Sequence, residues 1–209
     1  MFLSKWLKGA VLAASIPAAI FFLAPATVHA QTAAPQPGKT SSKHTGVMEQ
    51  SHKQQFGGLM MYIHDVDQQE IVAGRLAEKK GTTSSIRDYG KMLVHDHQQA
   101  DREVKTAARH LDVKITASAD RAQHLVDEQQ AKDLRHKLKR ASGSQFDQDF
   151  LTAMKSGHEP VIDRLKSARQ STSNTQVDNL LDKLIPVLEQ HEDVAQKLSQ
   201  NPHANISKV

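Results

Sequence analysis

Four stretches of the chain carry apolar residues at steps of three and four positions, which is the spacing of one face of an α-helix. The first includes Phe56, Met60 and Ile63, and the last includes Leu181 and Leu184. A stripe of this kind is buried against partner helices, so the pattern predicts four long amphipathic helices. We expect these helices at about residues 51–80, 85–111, 145–170 and 175–200.

The connections between these stretches predict how the helices pair. Only a few residues separate the first stretch from the second, and residues 171–174 separate the third from the fourth. Two long helices joined by so short a turn must lie antiparallel. The more polar segment 112–143 holds a plausible short helix between Ser118 and Ala141. The predicted fold is therefore all-α, a four-helix bundle of two antiparallel hairpins with a helical crossover segment.

Polar residues mark the predicted helix ends. Ser85 with Asp88, and Ser144 with Asp147, have the spacing of a capping box, in which the serine accepts a hydrogen bond from a backbone N–H. These pairs are expected to begin the second and third helices. Pro202 stops the fourth helix, so residues 201–209 are predicted to form a flexible tail.

The first fifty residues do not share the helical pattern. Residues 1–30 contain Lys5 and Lys8, an apolar run and small residues at the end, which together predict a cleaved secretory signal peptide. An uncleaved anchor is the alternative, although the run is short for a membrane span. Residues 31–50 are rich in Pro, Gly, Thr and Ser and predict a disordered linker. We expect a periplasmic or secreted protein with no stable membrane span after cleavage, whose bundle domain occupies residues 51–200.

Composition limits the possible chemistry. The chain has no cysteine, which excludes disulfides, thiolate metal sites and cysteine nucleophiles. Its formal charge of +4 falls to +2 without Lys5 and Lys8, too little to argue for a nucleic-acid partner or an anionic membrane surface. Aromatic residues are few, and no glycine-rich phosphate loop occurs. Any metal ion must therefore be held by imidazole and carboxylate groups.

One potential metal ligand interrupts each apolar stripe near its middle. The four residues are Glu70, His97, His158 and His191. At about 1.5 Å per residue they lie roughly 18 to 28 Å from the turns, so they are expected to meet at mid-bundle. Gly74 and Gly157, near Glu70 and His158, are expected to allow close backbone approach there. The pattern predicts a site for a divalent transition metal, with zinc, iron, copper and manganese all suited to these ligands.

Metal-bound histidines usually donate their other ring nitrogen to a carboxylate or a carbonyl. Asp101, one helical turn after His97, is predicted to accept that bond from His97. Asp96, Glu159 and Glu192 adjoin the candidate ligands in sequence. Adjacent residues on a helix point in different directions, so we expect these three side chains to point away from the site.

Other interpretations of the four residues remain open. A polar cluster without metal could fix the helix register of a structural or stress-related envelope protein. A metal-dependent redox or hydrolytic enzyme would need an open coordination position, and four protein ligands leave little room. A dinuclear iron site is disfavoured because Val94 and Leu188, not glutamates, stand three residues before His97 and His191. The pattern favours a binding protein over an enzyme, and we predict no catalytic residue and no organic-cofactor site.

The candidate residues belong to a longer pattern in the chain. Its members are Glu70, Gly74, Leu76, Ala77, Asp96, His97, Phe146, Asp147, Phe150, His158, Pro186, Leu188 and His191. In order and spacing they resemble the bacterial domain-of-unknown-function family 4142 over about residues 55–198. Phe150 departs from the family, which tends to have tyrosine there, so a role for that hydroxyl is in doubt. The resemblance implies an exported, ferritin-like bundle and, by analogy with ferritin-like proteins, a metal or ligand site.

The expected function follows from these observations together. The protein would store, buffer or sense a divalent metal ion in the cell envelope. Its expected partners are the metal ion and either a second copy of the chain or another envelope protein, with no nucleic acid.

Overall fold

A computed structural model describes the backbone of residues 41–115 and 121–206, and the side chains of 50–115 and 127–206. Within these ranges the chain forms five helices and no strand, and all described residues belong to one compact unit. The helices are α1 Ser41–Lys80, α2 Ser84–His110, α3 Arg121–Arg140, α4 Gly143–Ser171 and α5 Thr175–Gln200. The all-α prediction is confirmed for this part of the chain. None of the described helices is long and apolar enough to cross a membrane.

The helix boundaries agree closely with the apolar pattern except at the start of α1. The helix begins at Ser41, ten residues before its predicted start, and so includes residues 41–50 of the segment that was predicted to be a disordered linker. Each residue added to an existing helix closes one more backbone hydrogen bond, and no proline stops the extension. The predicted signal peptide and residues 31–40 lie outside the described part of the chain.

The helices pair as two hairpins. Three-residue turns, 81–83 and 172–174, join α1 to α2 and α4 to α5, and each pair packs along its length. Contacts of α2 with α5 and of α1 with α4 bring the hairpins face to face. The shorter α3 lies in the connection between them and contacts α1 and α4. The long helices therefore enclose a common core.

That core consists of two apolar clusters, one toward each end of the helices. Tyr89, Leu93, Phe150 and others form one cluster, and Met60, Val104 and others form the second. On α2, α4 and α5 a histidine separates residues of one cluster from residues of the other. The three sets are Leu93, His97 and Ala100; Met154, His158 and Ile162; and Leu188, His191 and Val194. The helices thus place a polar layer between two apolar layers.

Glycines allow α1 and α2 to come close beside this layer. A Cβ atom added to Gly74 would lie 2.7 Å from the Gly90 carbonyl oxygen, a distance that real Cβ atoms essentially never show. Only glycine fits such an approach. The expectation that glycine allows close backbone approach is confirmed for Gly74. It is wrong for Gly157, because an added Cβ would meet nothing within 4 Å there.

Side chains near the α1–α2 turn tie it to the second hairpin. The backbone N–H and the hydroxyl of Thr82 both donate to the carboxylate of Asp147. The α2 cap is Thr83, whose hydroxyl oxygen accepts from the Ile86 N–H, so the predicted role of Ser85 is wrong. The predicted capping role of Ser144 and Asp147 is also wrong, because α4 begins at Gly143 and Asp147 bonds to Thr82 instead.

The C-terminal tail is anchored at the same end of the molecule. The Thr83 hydroxyl donates to the Pro202 carbonyl at 2.7 Å, and the side chain of Ile206 is 9% exposed. Residues 201–206, which were predicted to belong to a flexible tail, thus contact the domain, with the isoleucine buried against the core.

Candidate metal centre

Three of the four predicted ligands come together in the polar layer. His97, His158 and His191 are 1%, 2% and 0% exposed, and one ligand atom from each lies within 4.8 Å of the other two. Their ring centroids are 5.1 to 6.1 Å apart. Among the described residues, this is the group of three His or carboxylate side chains that could hold a metal ion. We call it the histidine triad.

Each imidazole of the triad uses one ring nitrogen for a hydrogen bond within the protein. The bonds join His97 Nδ1 to Asp67 Oδ1 at 2.8 Å, His158 Nδ1 to the Met154 carbonyl at 2.7 Å, and His191 Nε2 to Asp96 Oδ2 at 3.0 Å. A carbonyl can only accept, so His158 Nδ1 carries the hydrogen. Carboxylate and carbonyl partners orient metal-bound histidines in the same way.

The second ring nitrogen of each imidazole has no hydrogen-bond partner among the described residues. These atoms are His97 Nε2, His158 Nε2 and His191 Nδ1, and all are buried. Folded proteins pair nearly all of their buried polar atoms, because an unpaired one costs about 1–3 kcal/mol. Three unpaired imidazole nitrogens on rings packed together are the kind of donor set that a transition-metal ion would satisfy.

The protonation of His97 and His191 also suits a cation. Burial lowers the pKa of both His97 and His191 to about 4, because desolvation disfavours the charged imidazolium. Both rings are therefore neutral at pH 7. A metal ion can bind a neutral imidazole nitrogen without first displacing a proton.

Glu70, the fourth predicted ligand, lies beside the triad but outside the group within 4.8 Å. Its Oε2 atom is buried and has no partner among the described residues. Its charge acts to raise the pKa of His97 against the larger effect of burial, and it adds to the burial that raises the pKa of Tyr89. The carboxylate of Glu70 is thus close enough to act on both residues.

Sequence reasoning missed Asp67. This side chain is 2% exposed, holds His97 through Oδ1, and has a buried Oδ2 without a partner among the described residues. Burial and then the nearby charge of Asp101 raise the pKa of Asp67 to about 8. One signal was available: Asp67 stands three residues before Glu70, so both lie on the same face of α1.

The predicted role of Asp101 is wrong. Asp101 accepts hydrogen bonds from His64 Nδ1 at 2.6 Å, Lys105 Nζ at 2.8 Å and Gln68 Nε2 at 3.3 Å, and none from His97. Although burial acts to raise it, the bonds from Lys105 and His64 lower the pKa of Asp101. His64 and Lys105 thus hold the Asp101 carboxylate near the surface. The hydrogen-bond partner of His97 is Asp67 on the facing helix α1.

Asp96 was expected to point away from the site, and that expectation is wrong. Its carboxylate bonds to His191 across the gap between α2 and α5. Glu159 is exposed and Glu192 is half-exposed, which agrees with the expectation for those two.

Tyr89 is a further residue that the sequence did not reveal. Its hydroxyl donates to the backbone carbonyl of His191 at 2.8 Å, and its ring packs on Phe150 with 5.7 Å between centroids. The bond ties α2 to α5 at the level of the triad. Phe150 is buried and supplies an apolar surface here.

A small cavity of about 20 Å³ adjoins the triad on the side of the second apolar cluster. Asp67, Asp96 and His97 form its polar wall, and aliphatic side chains such as Leu165 and Leu188 form the rest. This volume is enough for one water-sized molecule beside the two carboxylates.

The fold and the triad define an all-helical protein with a buried cluster of imidazoles. The chain matches the family Domain of unknown function (DUF4142) over residues 39–198. The match covers well over half of the chain, and the protein belongs to this family. No curated protein and no solved structure is significantly similar to it.

Proposed function

We propose that this protein is an exported, ferritin-like four-helix bundle that binds one divalent transition-metal ion at His97, His158 and His191. The observation that carries the proposal is the set of three buried imidazole nitrogens without partners. Asp67, Asp96 and a backbone carbonyl hold the other three nitrogens, so the rings are already oriented. Such preorientation usually adds tenfold or more to metal affinity.

Glu70 is the proposed fourth ligand. Its buried Oε2 lacks a partner among the described residues, and its charge acts on His97. Three neutral imidazoles and one carboxylate suit zinc, iron, copper or manganese in the divalent state. One carboxylate ligand would leave a net charge of +1, which the neighbouring Asp96, bonded to His191, is placed to balance.

Holding an ion fits this site better than catalysis does. All three imidazoles are at most 2% exposed, so a substrate has little access to the ligand atoms. We therefore propose storage, buffering or sensing of the ion. The pairing of two hairpins with α3 in the crossover supports the ferritin-like arrangement.

The proposed location is the periplasm or the outside of the cell. Its support is the leader, with Lys5 and Lys8 ahead of an apolar run and small residues up to Ala30. Intact mass of the protein recovered from the cell envelope tests the location. Cleavage after Ala30 is the expected result, and a full-length cytoplasmic product contradicts it.

Elemental analysis of the mature chain, residues 31–209, tests the metal site directly. The protein is purified without a histidine tag or chelator and is then also loaded with zinc, iron, copper or manganese in turn. We expect about one equivalent of bound metal, and a rise in thermal stability of roughly 3 kcal/mol at a free metal concentration about 100 times Kd.

A matched pair of double variants identifies the ligands. His97→Ala with His191→Ala should lose the metal, whereas His95→Ala with His110→Ala, which removes two exposed histidines of α2, should keep it. Glu70→Gln should weaken binding without abolishing it, because it removes only the fourth ligand. If the folded parent protein binds none of these metals above pH 7, the proposal is wrong and the layer is a metal-free polar cluster.

A further inference from the structure

The outer face of α3 carries a row of basic side chains. Steps of three and four residues place Lys132, Arg135, His136, Lys139 and Arg140 on one side of the helix. All five are exposed, and none has a hydrogen-bond or ion-pair partner for its side chain among the described residues. We call this row the basic stripe. It is about 12 Å long at 1.5 Å per residue.

The opposite side of α3 packs within the protein. Leu138 is buried in the core and Leu134 packs against it. Lys137 pairs with Asp149 of α4 at 2.9 Å. Lys80 of α1 donates to the backbone carbonyls at the end of α3, which adds one more cation near the stripe. The basic stripe is therefore the face that α3 does not use for packing.

The helix dipole does not account for the whole basic stripe. Lys139 and Arg140 lie in the last turn of α3, where cations offset the partial negative charge of the helix end. Lys132, Arg135 and His136 lie further from that end, beyond the range of the effect. Cations three and four residues apart repel one another on a helix surface. An external anion would remove that repulsion.

The overall charge of the chain conceals this feature. A formal charge of +2 without Lys5 and Lys8 gave no argument for an anionic partner surface, because it averages acidic and basic residues over the whole sequence. The fold instead gathers four unpaired Lys and Arg side chains on one helix face. The acidic residues Glu128 and Asp133 of α3 offset them only in part, and Gln129 donates to Asp133.

We propose that the basic stripe docks this protein on an anionic phospholipid surface. Clusters of four or more Lys and Arg residues on one helix face bind anionic headgroups electrostatically. The apolar side of α3 faces the core, so it cannot insert between lipid chains, and docking would be peripheral and sensitive to salt. A straight row on the outside of a helix suits a flat surface. The stripe includes no aromatic ring on which the bases of a single-stranded nucleic acid could stack.

Vesicle co-sedimentation of the mature chain tests the proposal. The vesicles contain either phosphatidylcholine alone or an equal mixture with phosphatidylglycerol, at about 20 mM and about 200 mM salt. The test variant combines Lys132→Gln, Arg135→Gln and Lys139→Gln. The control combines Arg75→Gln, Arg102→Gln and Lys155→Gln, which removes the same charge from exposed positions on three other helices.

We expect the parent and the control to bind only the anionic vesicles, and to bind them best at low salt. One Lys or Arg near an anionic surface contributes about fivefold in affinity, so the test variant should bind at least about tenfold more weakly. All substituted side chains are exposed, and thermal melting checks that each variant is folded.

Three results would overturn the proposal. The parent could fail to bind phosphatidylglycerol vesicles, or both variants could lose binding equally, which would reflect net charge alone. The third is binding of the parent to duplex DNA, lost in the test variant, with no binding to vesicles. That outcome would assign the basic stripe to a nucleic acid. The test does not involve the histidine triad, so its result is independent of the metal proposal.

Discussion

Replacing Gly90 by alanine would test whether backbone contact between α1 and α2 sets their spacing beside the triad. The added Cβ would lie 2.6 Å from the Gly74 carbonyl oxygen, 2.8 Å from the Glu78 backbone nitrogen and 2.9 Å from the Ala77 Cβ. None of these atoms is the end of a flexible side chain, so the two helices must separate. Overpacking of this kind typically costs about 1–3 kcal/mol, and a backbone clash lies toward the upper end.

A second effect acts in the opposite direction. Alanine favours a helix interior over glycine by roughly 1 kcal/mol. Gly157→Ala isolates this effect, because its Cβ would meet no atom within 4 Å. We therefore expect Gly157→Ala to stabilise the fold by about 0.5–1 kcal/mol and Gly90→Ala to destabilise it by about 1–2 kcal/mol. The expected difference between the two variants is roughly 2 to 3 kcal/mol.

Urea unfolding of the metal-free mature chain, followed by circular dichroism, measures both variants on one scale. Metal titration adds a second readout. Movement of α1 would carry Asp67 and Glu70 away from His97, so Gly90→Ala should also bind metal more weakly, while Gly157→Ala should not. If both alanine variants are stabilised to the same extent, the close contact of α1 with α2 does not exist and the reasoning fails.

Two further predictions concern pH and the α1–α2 turn. Between about pH 4 and 6.5 the unfolded chain binds one proton on each of His97 and His191, whereas the folded protein binds one proton on Asp67. The unfolded chain therefore holds one proton more than the folded protein. The free energy of unfolding of the metal-free protein should thus rise with pH over this range, by on the order of 3 kcal/mol. Above pH 6.5 Asp67 acts alone and stability should fall toward pH 8. Urea unfolding at several pH values checks this, and a steady rise to pH 8 would contradict it. Asp147→Ala removes both bonds from Thr82 and should cost about 1–3 kcal/mol in a thermal melt, whereas no measurable loss would show that the turn is not anchored there.

The sequence predicted the long helices well where one face is apolar. The predicted range 175–200 is that of α5, and 85–111 differs from α2 by one residue at each end. The start of α1 was missed because residues 41–50 carry almost no apolar stripe. A helical segment without an apolar stripe gives no periodic signal in the sequence.

The triad was predictable and its hydrogen-bond partners were not. A histidine within an apolar stripe stands out from its own helix alone, so local spacing identified His97, His158 and His191. Asp67 and Asp96 bond to histidines on other helices, and their pairing depends on how the helices are rotated against each other. Asp101 was predicted to bond to His97 because it lies one turn away on the same helix, but His97 bonds instead to Asp67 of α1. Local periodicity thus located the three imidazoles, whereas helix packing determined which groups orient them.

The position of the triad would link the proposed metal binding to the stability of the whole bundle. The polar layer separates two apolar clusters, and each of its three unpaired nitrogens costs about 1–3 kcal/mol in the absence of a ligand. A bound ion would remove these costs and join α2, α4 and α5 through one centre. Release would then require the two hairpins to separate, because all three imidazoles are buried. Exchange of a bound ion would therefore be slow and coupled to opening of the core, which would suit holding the metal better than passing it rapidly to a partner.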